Sequence, residues 1–178
     1  KAMFGTAANF TPMYQTVIAV TTEPLNKGKH AVYFNLGVTG SQGYASNKVF
    51  GNARLLDLPK PAYAKALNYL SRELYNEGVV KFIEQAATKN HSLYCAFYEI
   101  HYPEVLKALK AIKHKCKDLQ IVYSAQAGQN KDDAFEKGNY TSLKNAGLLS
   151  LSHARTKANQ PHNKFMILCK NDVPIEVW

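Results

Sequence analysis

Two rhythms of apolar residues run along the chain. Gln15 to Val20 (Gln-Thr-Val-Ile-Ala-Val) and Ala31 to Leu36 (Ala-Val-Tyr-Phe-Asn-Leu) are rich in β-branched and aromatic residues. Both runs predict strands, because such side chains pack well on a pleated surface. Pro24, Asn26 and Gly28 between them predict a turn. The glycine-spaced stretch Gly37 to Tyr44 predicts a loop able to line a site. It has neither the Gly-Lys-Ser/Thr ending of a phosphate-binding loop nor the Gly-x-Gly-x-x-Gly dinucleotide fingerprint. Past Pro59 and Pro61, Ala66, Leu67, Leu70 and Leu74 recur at helical spacing, and after Gly78 the apolar face resumes through Val79, Ile83, Ala86 and Ala87. This predicts a helix broken near Gly78.

Leu93 to Phe97 and Leu119 to Tyr123 are short runs rich in apolar residues, the pattern of parallel strands covered on both faces. Between them Val105, Leu109, Ile112 and Cys116 form one helical stripe, so a strand-helix-strand crossover is expected. Lys107, Lys110, Lys115 and Lys117 lie off that stripe and read as a solvated helix face. After a polar stretch from Gln126 to Asn139, Tyr140 to Ala146 predicts a short helix stopped by Gly147 at C′. Leu148 to Leu151 then reads as a strand and His153 to Pro161 as a polar loop. Lys164 to Cys169 predicts a strand, Lys170-Asn171-Asp172 a turn, and Pro174 to Trp178 a half-buried terminal strand. The alternation predicts an α/β fold, with a mixed, largely parallel β-sheet flanked by helices, in a single domain over residues 1–178.

With 178 residues, 46% of them hydrophobic, the chain is long enough to bury roughly 70% of its unfolded surface. A disordered tail or disulfide-stapled mini-scaffold is therefore excluded. No apolar run approaches the ~20 residues needed to cross a bilayer, and the first residues do not resemble a signal peptide. A soluble protein is expected, with a cytoplasmic location favoured. Cys95, Cys116 and Cys169 are odd in number, lack Cys-x-x-Cys spacing and sit in apolar or amphipathic stretches. Buried free thiols are expected, with no disulfide framework and no structural zinc. Lysine and arginine number 22 against 13 acids, a formal charge of +9, which concentrates anions such as nucleic acid or acidic headgroups near the surface. The chain opens on Lys1 without a methionine and stops inside strand-like alternation, so a fragment of a longer protein is expected.

Most histidines need no special role. His30, His91, His101, His114 and His153 are isolated and show no ligand spacing. Tripeptides beginning at Asn9, Asn90 and Asn139 match the glycosylation pattern, but nothing marks the chain as secreted. No Gly-x-Ser-x-Gly elbow or His-Glu-x-x-His pair is present. His162-Asn163-Lys164 is different. On an extended chain His162 and Lys164 project to one side, while Phe165 and Ile167 are expected to pack into the core on the other. An imidazole can attack phosphorus, and a fixed ammonium beside it offsets charge on the non-bridging oxygens without a metal. Arg155 and Lys157, just upstream, are candidate phosphate contacts.

The stretch Pro161-His162-Asn163-Lys164-Phe165-Met166-Ile167-Leu168, followed by a turn and Pro174-Ile175-Glu176-Val177-Trp178, resembles the strand-turn-strand that carries the His-Lys-Asp (HKD) motif of the phospholipase D superfamily. It is similar in particular to bacterial phospholipase D-like domain proteins. Val32 to Tyr44, Tyr69 to Arg72 and Ala96 to Glu99 also resemble that group. The resemblance implies one half of a phospholipase D-like fold, and a site built from two such motifs. The second motif would come from a missing C-terminal half or from a second subunit. It implies a phosphodiesterase acting on phospholipid or nucleic acid through a phosphohistidine, with no cofactor and no metal. His162 matches the motif histidine and Lys164 the phosphate-holding lysine. Cys169 stands where the family has its acid, Asp172 is near but is not assigned to that role, and the Gly-Ser-x-Asn that usually follows would begin just past Trp178. These departures leave a second reading from the sequence, a catalytically incomplete phospholipase D-fold binding or scaffolding domain.

Overall fold

The computed structural model describes residues 53, 57–73, 78–125, 134–157 and 162–178. The strands expected at 15–20 and 31–36, the 37–44 loop, His30 and the Asn9 tripeptide lie outside them, and the single-domain expectation for 1–178 extends beyond them. The elements are α1 (Lys60–Glu73), α2 (Val79–Gln85), β1 (His91–Phe97), α3 (Pro103–Ile112), β2 (Asp118–Ser124), α4 (Ala134–Ala146), a 3-10 turn (Leu149–Leu151), β3 (Ser152–Arg155), β4 (Lys164–Lys170) and β5 (Val173–Val177). Pro61 falls in the first turn of α1, where a missing N–H costs nothing. Gly78 directly precedes α2, and the expected break near it involves residues 74–77, which lie outside the described ones.

The five strands form one sheet in the order β3-β2-β1-β4-β5. β1, β2 and β3 pair in parallel, whereas β4 lies antiparallel to β1 and β5 antiparallel to β4. This is the mixed α/β sheet expected. One face is core: Leu93 and Cys95 of β1, Leu119 and Ile121 of β2, and Met166 and Leu168 of β4 are all buried. They pack with Phe82 and Ile83 of α2, Leu109 and Ile112 of α3, and Leu143 of α4. Each such aliphatic side chain contributes roughly 1.5–3 kcal/mol when fully removed from water. In α3, Leu109 and Ile112 of the predicted stripe are buried while Lys107 and Lys110 stay exposed. Cys116 is buried just past the helix end.

Several elements differ from expectation. The Leu148–Leu151 run is a 3-10 turn, because Leu148 is occupied closing α4. Gly147 sits at φ +70, its N–H donates to the Lys144 carbonyl at 3.0 Å, and Leu148 N–H donates to Leu143 O at 2.9 Å, the paired bonds of a Schellman cap. The strand starts only at Ser152, so His153 to Arg155 belong to β3 and not to a loop. α4 begins six residues before Tyr140, inside the stretch read as polar loop. Coverage on both faces also fails: Val122 and Phe165 are 38% and 36% exposed. Phe165 and Ile167, expected in the core, lie on the sheet face opposite Met166 and Leu168. The terminal strand exists, but every residue of β5 is exposed, because it is the sheet edge. Trp178 beyond it is half-buried against Phe82, with ring centroids 6.0 Å apart.

The β4–β5 hairpin turns on Asn171 and Asp172, at φ 50 and φ 66, the positive values that a two-residue type I′ turn demands and Asn/Asp tolerate. All three cysteines are free and buried, and burial pushes the Cys95 thiol far above its ordinary range. The unfolded chain ionises that thiol near pH ~8.5 and the native one does not. Stability is therefore full below that pH and declines as pH rises above it. We expect a lower urea midpoint at pH ~9.5 than at pH ~7.5, with part of the decline lost in Cys95→Ala. A decline unchanged by that substitution would count against the assignment.

Candidate active site

Antiparallel pairing of β4 with β1 brings the start of β4 to the ends of the parallel strands. Lys164 pairs with Phe97, the last residue of β1, and Arg155 ends β3 beside Ser124, the last residue of β2. The region just beyond the carboxyl ends of parallel strands is where open α/β sheets bind ligands, since loops diverge there and leave a crevice. His162, Asn163, Lys164, Arg155 and Lys157 are all exposed at or near this end.

Tyr98, the first residue after β1, organises the pair. The His162 ring packs on the Tyr98 ring with centroids 4.4 Å apart and planes tilted by 38°. The Lys164 ammonium stands 5.4 Å from the same ring's centroid, within the ~6 Å over which an aromatic face attracts a cation. Lys164 Nζ also donates to the His162 carbonyl at 2.9 Å. Imidazole and ammonium thus share one aromatic neighbour and one side of the chain, and both remain open to solvent.

The loop carrying Tyr98 is held by Asn139. Its Nδ2 donates to the carbonyls of Tyr98 (2.8 Å) and Ser124 (3.0 Å), and its Oδ1 accepts from the Ile100 N–H (2.8 Å). One fully buried amide therefore ties the exits of β1 and β2 to α4. One turn along that helix, Ser142 Oγ lies 3.3 Å from His101 Nδ1. The His101 ring occupies the space a side chain at Gly138 would need, since a Cβ there would come within 2.5 Å of Cε1. His101 is structural, as expected, and so are His91, whose Nδ1 meets Thr88 and Asn90, and His153, whose Nε2 meets Gln120 Oε1 at 2.6 Å. A buried Asn139 offers no accessible acceptor for glycosylation. Sequence reasoning missed the roles of Tyr98 and Asn139. An aromatic after a strand and an asparagine in a polar stretch carry no pattern that marks them.

No acid at the motif position joins the pair. Cys169 is buried, five residues along β4 and on the opposite face from Lys164, about 17 Å away at ~3.4 Å per residue. Asp172 sits in the hairpin at the far end of β4, where its carboxylate takes the Lys117 ammonium at 2.5 Å. That contact holds the Lys117 ammonium above its usual range. Among the described residues no three His, Cys, Asp or Glu side chains gather as a metal set, and no helix is long and apolar enough to cross a membrane. At the same end of β4, a cavity of about 220 Å³ is lined by residues that include Ala96, Val122, Ser124, Arg155, Asn163 and Phe165.

No family model matches the chain, and no curated protein matches it. Among solved structures, it is similar to a phospholipase D family member, Nuc, from Salmonella typhimurium, at 26% identity and a TM-score of 0.36. The match covers 55% of this chain and spans 57% of the length of that one.

Replacing Asn139 by leucine removes three hydrogen bonds from a fully buried site. We expect a loss of about 2–3 kcal/mol in unfolding free energy and faster amide exchange at Ile100. A variant within about 0.5 kcal/mol of the parent would show that the staple is not needed.

Proposed function

We propose that His162 and Lys164 are half of a metal-independent phosphodiesterase site of the phospholipase D type, acting on a phosphodiester of phospholipid or nucleic acid. The observation that carries this reading is the placement of both groups on one side of the chain, solvent-open and against the single ring of Tyr98. A nucleophile needs access, and a phosphate-holding cation needs to stand beside it.

In this reading an imidazole nitrogen of His162 attacks phosphorus while the ammonium of Lys164 offsets charge growing on the non-bridging oxygens. The bond from phosphorus to the leaving alkoxide breaks, and the leaving oxygen takes a proton from a second histidine. That histidine belongs to a second His-x-Lys motif, from the rest of a longer chain or from another subunit. It then removes a proton from water or an acceptor alcohol, whose oxygen attacks the phosphohistidine and frees His162. One specific observation supports the second reading, a binding or scaffolding domain without turnover: Cys169 and Asp172 are both remote from the pair.

Hydrolysis of bis(p-nitrophenyl) phosphate by the whole protein, with EDTA present, separates the two readings. For an enzyme, His162→Ala lowers the rate by about 10³-fold or more and Lys164→Ala by about 10²–10³-fold. An acid-labile, alkali-stable phosphoprotein should accumulate on rapid quenching. Turnover that is unchanged by His162→Ala removes this residue from the chemistry. Absent turnover with retained phosphodiester binding favours the scaffold.

A further inference from the structure

The start of β4 presents more than the His-Lys pair. Asn163 and Phe165 flank Lys164 in sequence and line the cavity of about 220 Å³, together with Ala96, Val122, Ser124 and Arg155. Alternation along the strand puts Phe165 on the face opposite Lys164. The cation and the cavity therefore lie on the two sides of one strand end. Val122 and Phe165 leave 38% and 36% of their surface open, so the cavity has an apolar wall. Arg155 and Asn163 are exposed, and no acid lines it.

We propose that this cavity is a base subsite: it receives one nucleobase of a single-stranded polynucleotide whose neighbouring phosphate lies at His162 and Lys164, which makes single-stranded nucleic acid the substrate class. This rests on the phosphodiesterase reading of that pair. Size is the first argument. At about 220 Å³ the cavity is smaller than the ~300–1,000 Å³ that holds a drug-sized ligand. It equals the share of about seven waters at ~30 Å³ each, room for one flat heterocycle and not for paired acyl chains. Chemistry is the second. Phenyl and guanidinium planes are the surfaces on which unstacked bases lie, and the Asn163 amide presents both a donor and an acceptor to a base edge. Charge is the third. Arg155, Lys157 and Lys164 are exposed cations on the segments that meet at this end, complementary to a phosphate chain passing over it.

The test compares a labelled short oligothymidylate with an abasic-spacer strand of equal phosphate count, titrated by fluorescence anisotropy against the whole protein. The base-bearing strand should bind about 5- to 150-fold more tightly, the range for one stacked base. Phe165→Leu keeps apolar volume but removes the π face. It should erase the preference and leave the abasic affinity unchanged, with the far-ultraviolet spectrum confirming its fold. Arg155→Gln should weaken both strands and lower the salt slope by about one. Equal affinity for the two strands, binding of neither, or a preference that survives Phe165→Leu would each overturn the subsite. So would flotation with phosphatidylglycerol vesicles that Phe165→Leu abolishes without any base preference, because the apolar wall then seats on a membrane. The two ideas fail separately. His162-dependent diester hydrolysis without base preference removes only the subsite, whereas base preference with His162-independent hydrolysis supports base binding and removes the catalytic assignment.

Discussion

Strand β4 lies on β1 with Lys164 opposite Phe97, Met166 opposite Cys95 and Leu168 opposite Leu93. The rest of the geometry depends on this register, because a slip of one residue sends every side chain of a strand to the other face. The register buries Met166 and Leu168 in the core shared with α2, α3 and α4. The same parity puts Lys164 on the core-facing side, where it would be costly in the middle of the strand. It sits instead at the first position of β4, past the edge of the apolar packing. There its ammonium reaches solvent, the Tyr98 ring and the His162 carbonyl. The stem is carried on the sheet and the charge is held outside it.

This explains what could be read from the chain and what could not. Alternation predicts His162 and Lys164 on one side whichever face is buried, and both meet the Tyr98 ring, although His162 stands two residues before β4. Which face is buried does not follow. Phe165 to Cys169 is apolar at every position, so period-2 reasoning has no polar residue to orient it. Such a run leaves either face free to form the core, and helix packing selects that of Met166 and Leu168 over the expected Phe165 and Ile167. Gly147 was legible because a helix ending needs a positive φ and glycine supplies it at low cost. Leu148 to Leu151 was not, since a leucine-rich run interrupted only by Ser150 suits a strand as well as a turn anchored by one buried leucine. β1, β2 and α3 were visible because two short apolar runs flank one regular helical stripe, each bounded by polar residues.

Asn139 shows a different limit. Three main-chain groups, from the exits of β1 and β2 and the loop after β1, converge on one amide. Such a site favours asparagine because its side chain offers both donors and an acceptor in a fixed plane. The requirement is created wholly by tertiary structure, so no local spacing announces it. Its consequence reaches the candidate site, since the loop it fastens carries the only ring that touches both His162 and Lys164 among the described residues.

Tyr98 fixes position but supplies no negative charge. A carboxylate against an imidazole does two things: it orients the ring and stabilises the imidazolium that forms when the ring takes a proton. A tilted ring at 4.4 Å does the first through contact area and dispersion and does little of the second. Cys169 is turned to the other face, and Asp172 is committed to Lys117 at the opposite end of β4, so neither restores the charge. In the proposed reading His162 thus stands open to phosphorus with no carboxylate among its described contacts. This division suits a nucleophile, whose new bond to a phosphoryl group brings its own anionic oxygens beside the ring. It suits poorly the residue that must donate a proton to the leaving group. Under the proposed phosphodiesterase reading, the proton to the leaving group therefore comes from a group other than His162.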